Sequence, residues 1–270
     1  MNALVFCCIA PHGAEIIPEL AGQDPARMGR SRNSLTRLGG EMRAARPDVI
    51  IYLTPHGIRA NNAFSIADCE RMSGSVEENG GCFSVGASVD RDLARAIADE
   101  ARADKLPVAQ LNYATSSGPL SCLPLDWGVM VPLRFMPDVP IVVVTTCYDL
   151  SFEQHLGFGT CLARAAGASG KRIGLVASCD WAHAHDADGP YGYDPAAARL
   201  DEEVAQLIGA NDLEGLAGFD KEFIDAAKPD GLWQALLLAG AVPAASREID
   251  VLSYEVPTYF GLLCAAVRPL

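Results

Sequence analysis

Twice in this chain a short apolar run ends in the same tripeptide. Leu4–Ile9 continues through Ala10 into Pro11-His12-Gly13, and Val49–Leu53 continues through Thr54 into Pro55-His56-Gly57. Proline cannot donate to a strand ladder and glycine lets the backbone turn, so each run reads as a buried strand that stops abruptly. Each imidazole is then left at the C-terminal end of its strand, the edge at which open α/β sheets bind ligands. A neutral imidazole there suits a borderline metal ion.

The rest of the chain agrees with an α/β class, a single domain over residues 1–270 with a central mixed, mostly parallel sheet flanked by helices. Short β-branched runs at Ile141–Thr145 and Ile173–Ala177 have the look of strands buried on both faces, and Asp250–Glu255 and Gly261–Val267 follow near the C-terminus. Shorter, more polar strands are expected at Ala63–Ala67 and Phe83–Val85, giving the sheet an antiparallel edge. Helices are expected at Ser31–Ala45, Ser88–Ala103, Trp127–Phe135, Phe152–Ala166, Pro195–Ile208 and Gly231–Ala239. The fifth has good start chemistry, with Asp194 as N-cap and Pro195 at the first position. Asn211–Pro229 reads as two short helices, or a loop carrying one.

Composition narrows the function. A net charge of −13 argues against non-specific nucleic-acid binding, which needs basic residues against phosphate. No apolar run approaches the ~20 residues of a membrane-spanning helix. The N-terminus lacks the basic start of a signal peptide. The nine cysteines are odd in number, contain no CxxC pair and mostly sit in apolar runs, so a reduced, cytoplasmic protein is expected.

Four of the five histidines follow strand ends. The strand at Ile173–Ala177 leads into Ser178-Cys179-Asp180-Trp181-Ala182-His183-Ala184-His185. If it runs parallel to the others, His183 and His185 open onto the same edge, and alternation would place both on one side. Asp180 is placed either to orient His183 or to cap the turn. His155 falls in mid-helix and reads as surface or structural. Two histidines need a hard ligand to complete a 2-His-1-carboxylate face, which leaves metal positions open. Glu255, ending an apolar strand among Tyr and Pro residues, is the strongest carboxylate candidate; Glu15 is weaker.

In this order, two strand–Pro-His-Gly junctions, Asp-x-x-His and Tyr-Glu-x-Pro, the chain resembles the class III extradiol ring-cleavage dioxygenases, relatives of the protocatechuate 4,5-dioxygenase catalytic subunit. The resemblance runs from His12 to Glu255. It implies that His12, His56 and Glu255 hold Fe(II) (Zn or Mn would also suit these donors), and that His183 is a second-sphere acid/base. His185, Asp180, Trp127 and Tyr191 are candidates for holding the metal ligands in place or for binding the substrate. Asp126-Trp127-Gly128 looks like a family element in which many members carry His where Trp127 stands, and Trp127 could stack on a substrate ring or belong to the core.

The implied reaction is cleavage of a catechol-type or o-aminophenol-type ring with O₂, without nucleic acid or membrane partners. A homo-oligomer is expected, with a homologous partner subunit as an alternative. The rival readings are a metal-binding relative of the eukaryotic Memo proteins, which lack dioxygenase activity and carry Cys where Glu255 stands, and a zinc hydrolase on the same residues.

Overall fold

The computed structural model describes residues 3–270; Met1 and Asn2, at the start of the apolar N-terminal segment, lie outside the described residues. The strands and helices, in chain order, are β1 (Leu4–Ala10), α1 (Gly29–Ala45), β2 (Val49–Thr54), β3 (Phe64–Ala67), β4 (Arg71–Glu78), β5 (Gly81–Ser88), α2 (Arg91–Ala103), β6 (Val108–Leu111) and β7 (Cys122–Pro124). They continue as α3 (Trp127–Leu133), β8 (Ile141–Thr145), α4 (Phe152–Ala168), β9 (Ile173–Ser178), α5 (Ala196–Gly209), α6 (Lys221–Ala227), α7 (Leu232–Ala241), β10 (Arg247–Glu255) and β11 (Leu262–Pro269).

One eight-stranded sheet has the order β10-β11-β1-β9-β2-β8-β3-β6. Its centre, β1-β9-β2-β8, is parallel. These are the four short apolar runs singled out by composition, and the reason is burial on both faces. Along β2, Val49, Ile51 and Leu53 enter the core packed with α2, α4, α5 and α7, whereas Ile50 and Tyr52 enter the second core beneath α1 and α3. A strand whose alternate residues fill two cores has no place for a polar side chain.

The margins are antiparallel. β11 pairs antiparallel with both β1 and β10, and β3 pairs antiparallel with β8. The Ala63–Ala67 segment therefore joins the sheet as expected. Phe83–Val85 does not: it lies within β5, in a separate three-stranded sheet of order β5-β4-β7. That hairpin covers the α1 face, and its alternating half-exposed pattern is that of a sheet with one wet side. The helix expected from Ser88 starts at Arg91, because Ser88 still pairs with Arg71 and the Asp90 carboxylate caps Leu93 N at 3.1 Å. At α5 the Asp194 carboxylate accepts from Ala196 N at 2.8 Å, and Pro195 already has helical angles, as its sequence suggests. Among the described residues no helix is long and apolar enough to cross a membrane.

Candidate metal centre and cleft

The order β1-β9-β2 sets three parallel strands side by side, so all three release their chains at one edge of the sheet. β1 delivers His12, β2 delivers His56, and β9 delivers Asp180 and His183. Asp230 reaches the same point from the turn between α6 and α7. Its neighbour must be glycine, since a Cβ at Gly231 would lie 2.6 Å from Cys179 Cβ and 2.8 Å from the Asp180 carbonyl. The bare backbone lets α7 start against the end of β9.

Three donor atoms converge here. His12 Nε2 lies 3.1 Å from His56 Nε2 and 3.3 Å from Asp230 Oδ2, and His56 Nε2 lies 3.2 Å from Asp230 Oδ2. Three ligands each about 2.0–2.1 Å from one ion would stand about 2.8–3.4 Å apart, from an octahedral face at the short end to a tetrahedral face at the long end. The observed triangle fits that range, and the set of two imidazoles and one carboxylate has the chemistry of a divalent-ion face.

The outer hydrogen bonds fix which atom each ligand presents. Ser178 Oγ donates its single proton to the Gly128 carbonyl, so it accepts from His12 Nδ1 at 2.9 Å. His12 Nδ1 is therefore protonated, and Nε2 carries the lone pair of the neutral ring. Asp230 Oδ1 accepts from Asp180 N at 3.0 Å, which leaves Oδ2 for the triangle. His56 is braced by Trp127, whose ring lies 4.4 Å from it. Partners of this kind orient metal-binding side chains.

The electrostatics favour positive charge at this point. Burial alone would lower the pKa of His12, but Asp180 and Asp230 outweigh it and push it up to about 9. For Asp230, burial is opposed by His12 and by hydrogen bonds from His12 and His56, which hold its carboxyl well below the usual carboxylate range. Asp180, which accepts from His12 N at 2.8 Å, is pushed up by burial. The need for a cation can be met by a proton on His12 or by a metal ion.

Above this floor opens a cleft of about 400 Å³. His183 stands on its wall. Its Nδ1 lies 2.9 Å from the Lys228 carbonyl, which can only accept, so Nδ1 is protonated and Nε2 is free, 4.0 Å from Asp230 Oδ2. The ring stacks on Phe260 at 5.4 Å, with Tyr191 and Tyr259 at 5.5 and 5.9 Å. Asp180, Trp127 and Tyr191 also line the cleft, where sequence placed them as candidates.

Two of the expected site residues lie elsewhere. Glu255 does not join the imidazoles. Its Oε1 accepts from Ser31 N at 2.8 Å and Ser31 Oγ at 2.7 Å, in the first turn of α1. That helix has Met28 at its N-cap, a residue with no side-chain oxygen to offer, and Glu255 at the end of β10 satisfies a buried first-turn N–H instead. His185 points away from the cleft: its Nε2 lies 2.9 Å from Asp201 Oδ2, which also accepts from Tyr254 OH at 2.7 Å. The expected same-side alternation of His183 and His185 fails because the segment is not a strand. His183 N bonds to Ala227 and His185 N to Tyr259, two different neighbours. Glu15 lines the cleft and is paired with Arg27 at 3.2 Å.

Asp230 is the residue that sequence reasoning missed. An Asp before Gly and an apolar helix looks like a helix cap. A signal was nonetheless present, because the frame Pro-x-Gly occurs four times in the chain, around His12, His56, Tyr191 and Asp230. All four central residues belong to the donor triangle or the cleft.

Similarity to known proteins bears on the fold and the family. Protein CA_C1420 of Clostridium acetobutylicum is 25% identical over 252 residues, covering 92% of this chain and 54% of that protein, so the chain spans about half the length of this curated relative. The solved structure of the uncharacterized protein JW3007 from Escherichia coli K12 shares the fold, with a TM-score of 0.64 at 18% identity, over 97% of this chain and 99% of that one. Residues 6–264 match the family described as the catalytic LigB subunit of aromatic ring-opening dioxygenase, and the chain belongs to that family.

Proposed function

We propose that this protein is a non-haem Fe(II)-dependent extradiol dioxygenase that opens a catechol-type or o-aminophenol-type ring with O₂. In this reading His12, His56 and Asp230 hold the metal, and His183 is the acid/base. The observation that carries it is the triangle of His12 Nε2, His56 Nε2 and Asp230 Oδ2, with edges of 3.1–3.3 Å, at the floor of a cleft walled by aromatic rings. Family membership supports ring-opening chemistry at the coarse level. Bound there, the ion would supply Lewis acidity toward the two ring heteroatoms and the one-electron chemistry that lets O₂ react with an aromatic ring.

The chain's own residues do the rest. A ring hydroxyl must lose a proton to chelate, and Nε2 is the nitrogen that the neutral His183 ring turns toward the floor with its lone pair. Its Nδ1–H bond to the Lys228 carbonyl and its stack on Phe260 keep that nitrogen aimed inward, so the same atom can return the proton later. Trp127 and Tyr259 offer flat apolar surface on which a ring can lie, and with Phe260 they thin out the water around the reacting atoms. The partners in this reading are a small aromatic molecule and O₂.

Anaerobic loading with Fe(II), followed by O₂ uptake on a panel of catechols and o-aminophenols, tests this. Wild type should bind about one ion and give a yellow ring-fission absorbance. Asp230→Ala should lose the metal, whereas His183→Ala should keep it and lose activity by about 10²–10⁴-fold. Tight metal binding by Asp230→Ala, or wild-type binding with no uptake on any ring, would overturn the reading.

A further inference from the structure

We infer that the ring accepted by this cleft carries a protonated amine and no carboxylate, with Glu78 as the group that receives the ammonium. This assignment rests on the ring-opening reading above and concerns the wall of the cleft, not its metal-binding floor.

The lining includes the carboxylates Glu15, Glu78 and Asp180, and it includes no lysine or arginine. Two of the three are answered. Glu15 is paired with Arg27, and Asp180 accepts from the backbone of His12. Glu78, at the end of β4, makes no ion pair among the described residues. Partial burial and the nearby Glu15 both push its carboxyl above the usual range, the response of an acid that faces another acid and no base. Tyr259 stands within the field of the same group: burial, together with Tyr191, Asp180 and Glu78, raises its phenol.

The remaining wall is aromatic, with Trp127, Tyr191, Tyr259 and Phe260. Ring faces together with an unpaired carboxylate are the recognition chemistry of an ammonium group, since each offers negative potential. A carboxylate on the ring would meet the opposite situation, with like charge on the wall and no lysine or arginine there to pair with. Arg59, three residues after His56, is held over the Tyr148 ring at 5.2 Å and donates to the Pro55 carbonyl.

The test uses binding, so that it does not depend on turnover. Three catechols that differ at one ring position, bearing a 2-aminoethyl, a methyl or a carboxylate group, are titrated anaerobically into the Fe(II)-loaded protein and followed by tryptophan fluorescence. The amine should bind at least about tenfold more tightly than the carboxylate, and the gap should shrink as salt is added. Glu78→Gln should lower the amine-to-methyl affinity ratio about three- to fivefold, and Glu78→Lys should reverse the amine-to-carboxylate order. Glu78 is solvent-exposed, so these variants are expected to fold. Equal or tighter binding of the carboxylate, or a ratio that Glu78→Gln does not move, overturns the inference while the ring-opening reading stands. Failure of all three rings to bind overturns both.

Discussion

Glu255 belongs to the first turn of α1, and Asp230 faces the two imidazoles. A glutamate that ends an apolar strand is conspicuous, and its reason is the first turn of α1, where Ser31 N and Oγ both reach Oε1. Glu255→Ala should therefore cost about 1 kcal/mol of stability, the usual size of a lost helix cap, while metal content stays at the wild-type level. Denaturant unfolding and metal analysis of the same preparation check this, and loss of metal in that variant would place Glu255 back at the centre. Asp230 was illegible for the complementary reason: every feature of Lys228-Pro229-Asp230-Gly231 also suits an ordinary helix start. What separates it is the shared Pro-x-Gly frame, in which proline ends regular pairing and glycine permits close approach, presenting the middle side chain. The two histidines were legible because imidazole is rare and chemically pointed. An aspartate in a turn is neither.

At the level of elements, the parallel centre of the sheet could be read from composition, because strands buried on both faces leave a run of apolar, β-branched residues. Of the β4–β5 hairpin only Phe83–Val85 reads as strand, since its half-wet alternation contains Ser, Gly and Glu in proportions typical of loops. The pairing order β1-β9-β2 was also beyond sequence reading, yet it is what gathers His12, Asp180 and His56. The approach of α7 to β9 is equally consequential. A methyl group at Gly231 would overlap Cys179 and the Asp180 carbonyl, and the helix start that carries Asp230 must then retreat. Gly231→Ala is expected to cost about 1–3 kcal/mol as an overpacked contact. It should also weaken metal affinity about 10–100-fold, the range seen when a ligand's support is disturbed. A metal titration beside a thermal melt tests it: a melt that drops with affinity unchanged would detach Asp230 from the site.

For the molecule as a whole, the buried His155 sets an acid limit. It sits in α4 against Phe64, with Nδ1 bonded to the Ser151 carbonyl and Nε2 without a partner, and burial lowers its pKa to about 4. Below an unfolded value near 6.5 the unfolded chain takes up a proton that the folded chain refuses, so stability falls with falling pH. The loss begins near pH 6.5 and levels off below about pH 4, amounting to about 3 kcal/mol. Urea unfolding from pH 7 to 4 should show this slope, and His155→Leu should flatten it; an unchanged slope in the variant would assign the acid limit to other groups.

The donor triangle draws its members from positions 12, 56 and 230 of a 270-residue chain. During synthesis the two imidazoles emerge early, but the donor set is incomplete until Asp230 follows from the turn after α6. The triangle is thereby closed last, and a product truncated before Asp230 holds at most a pair of histidines.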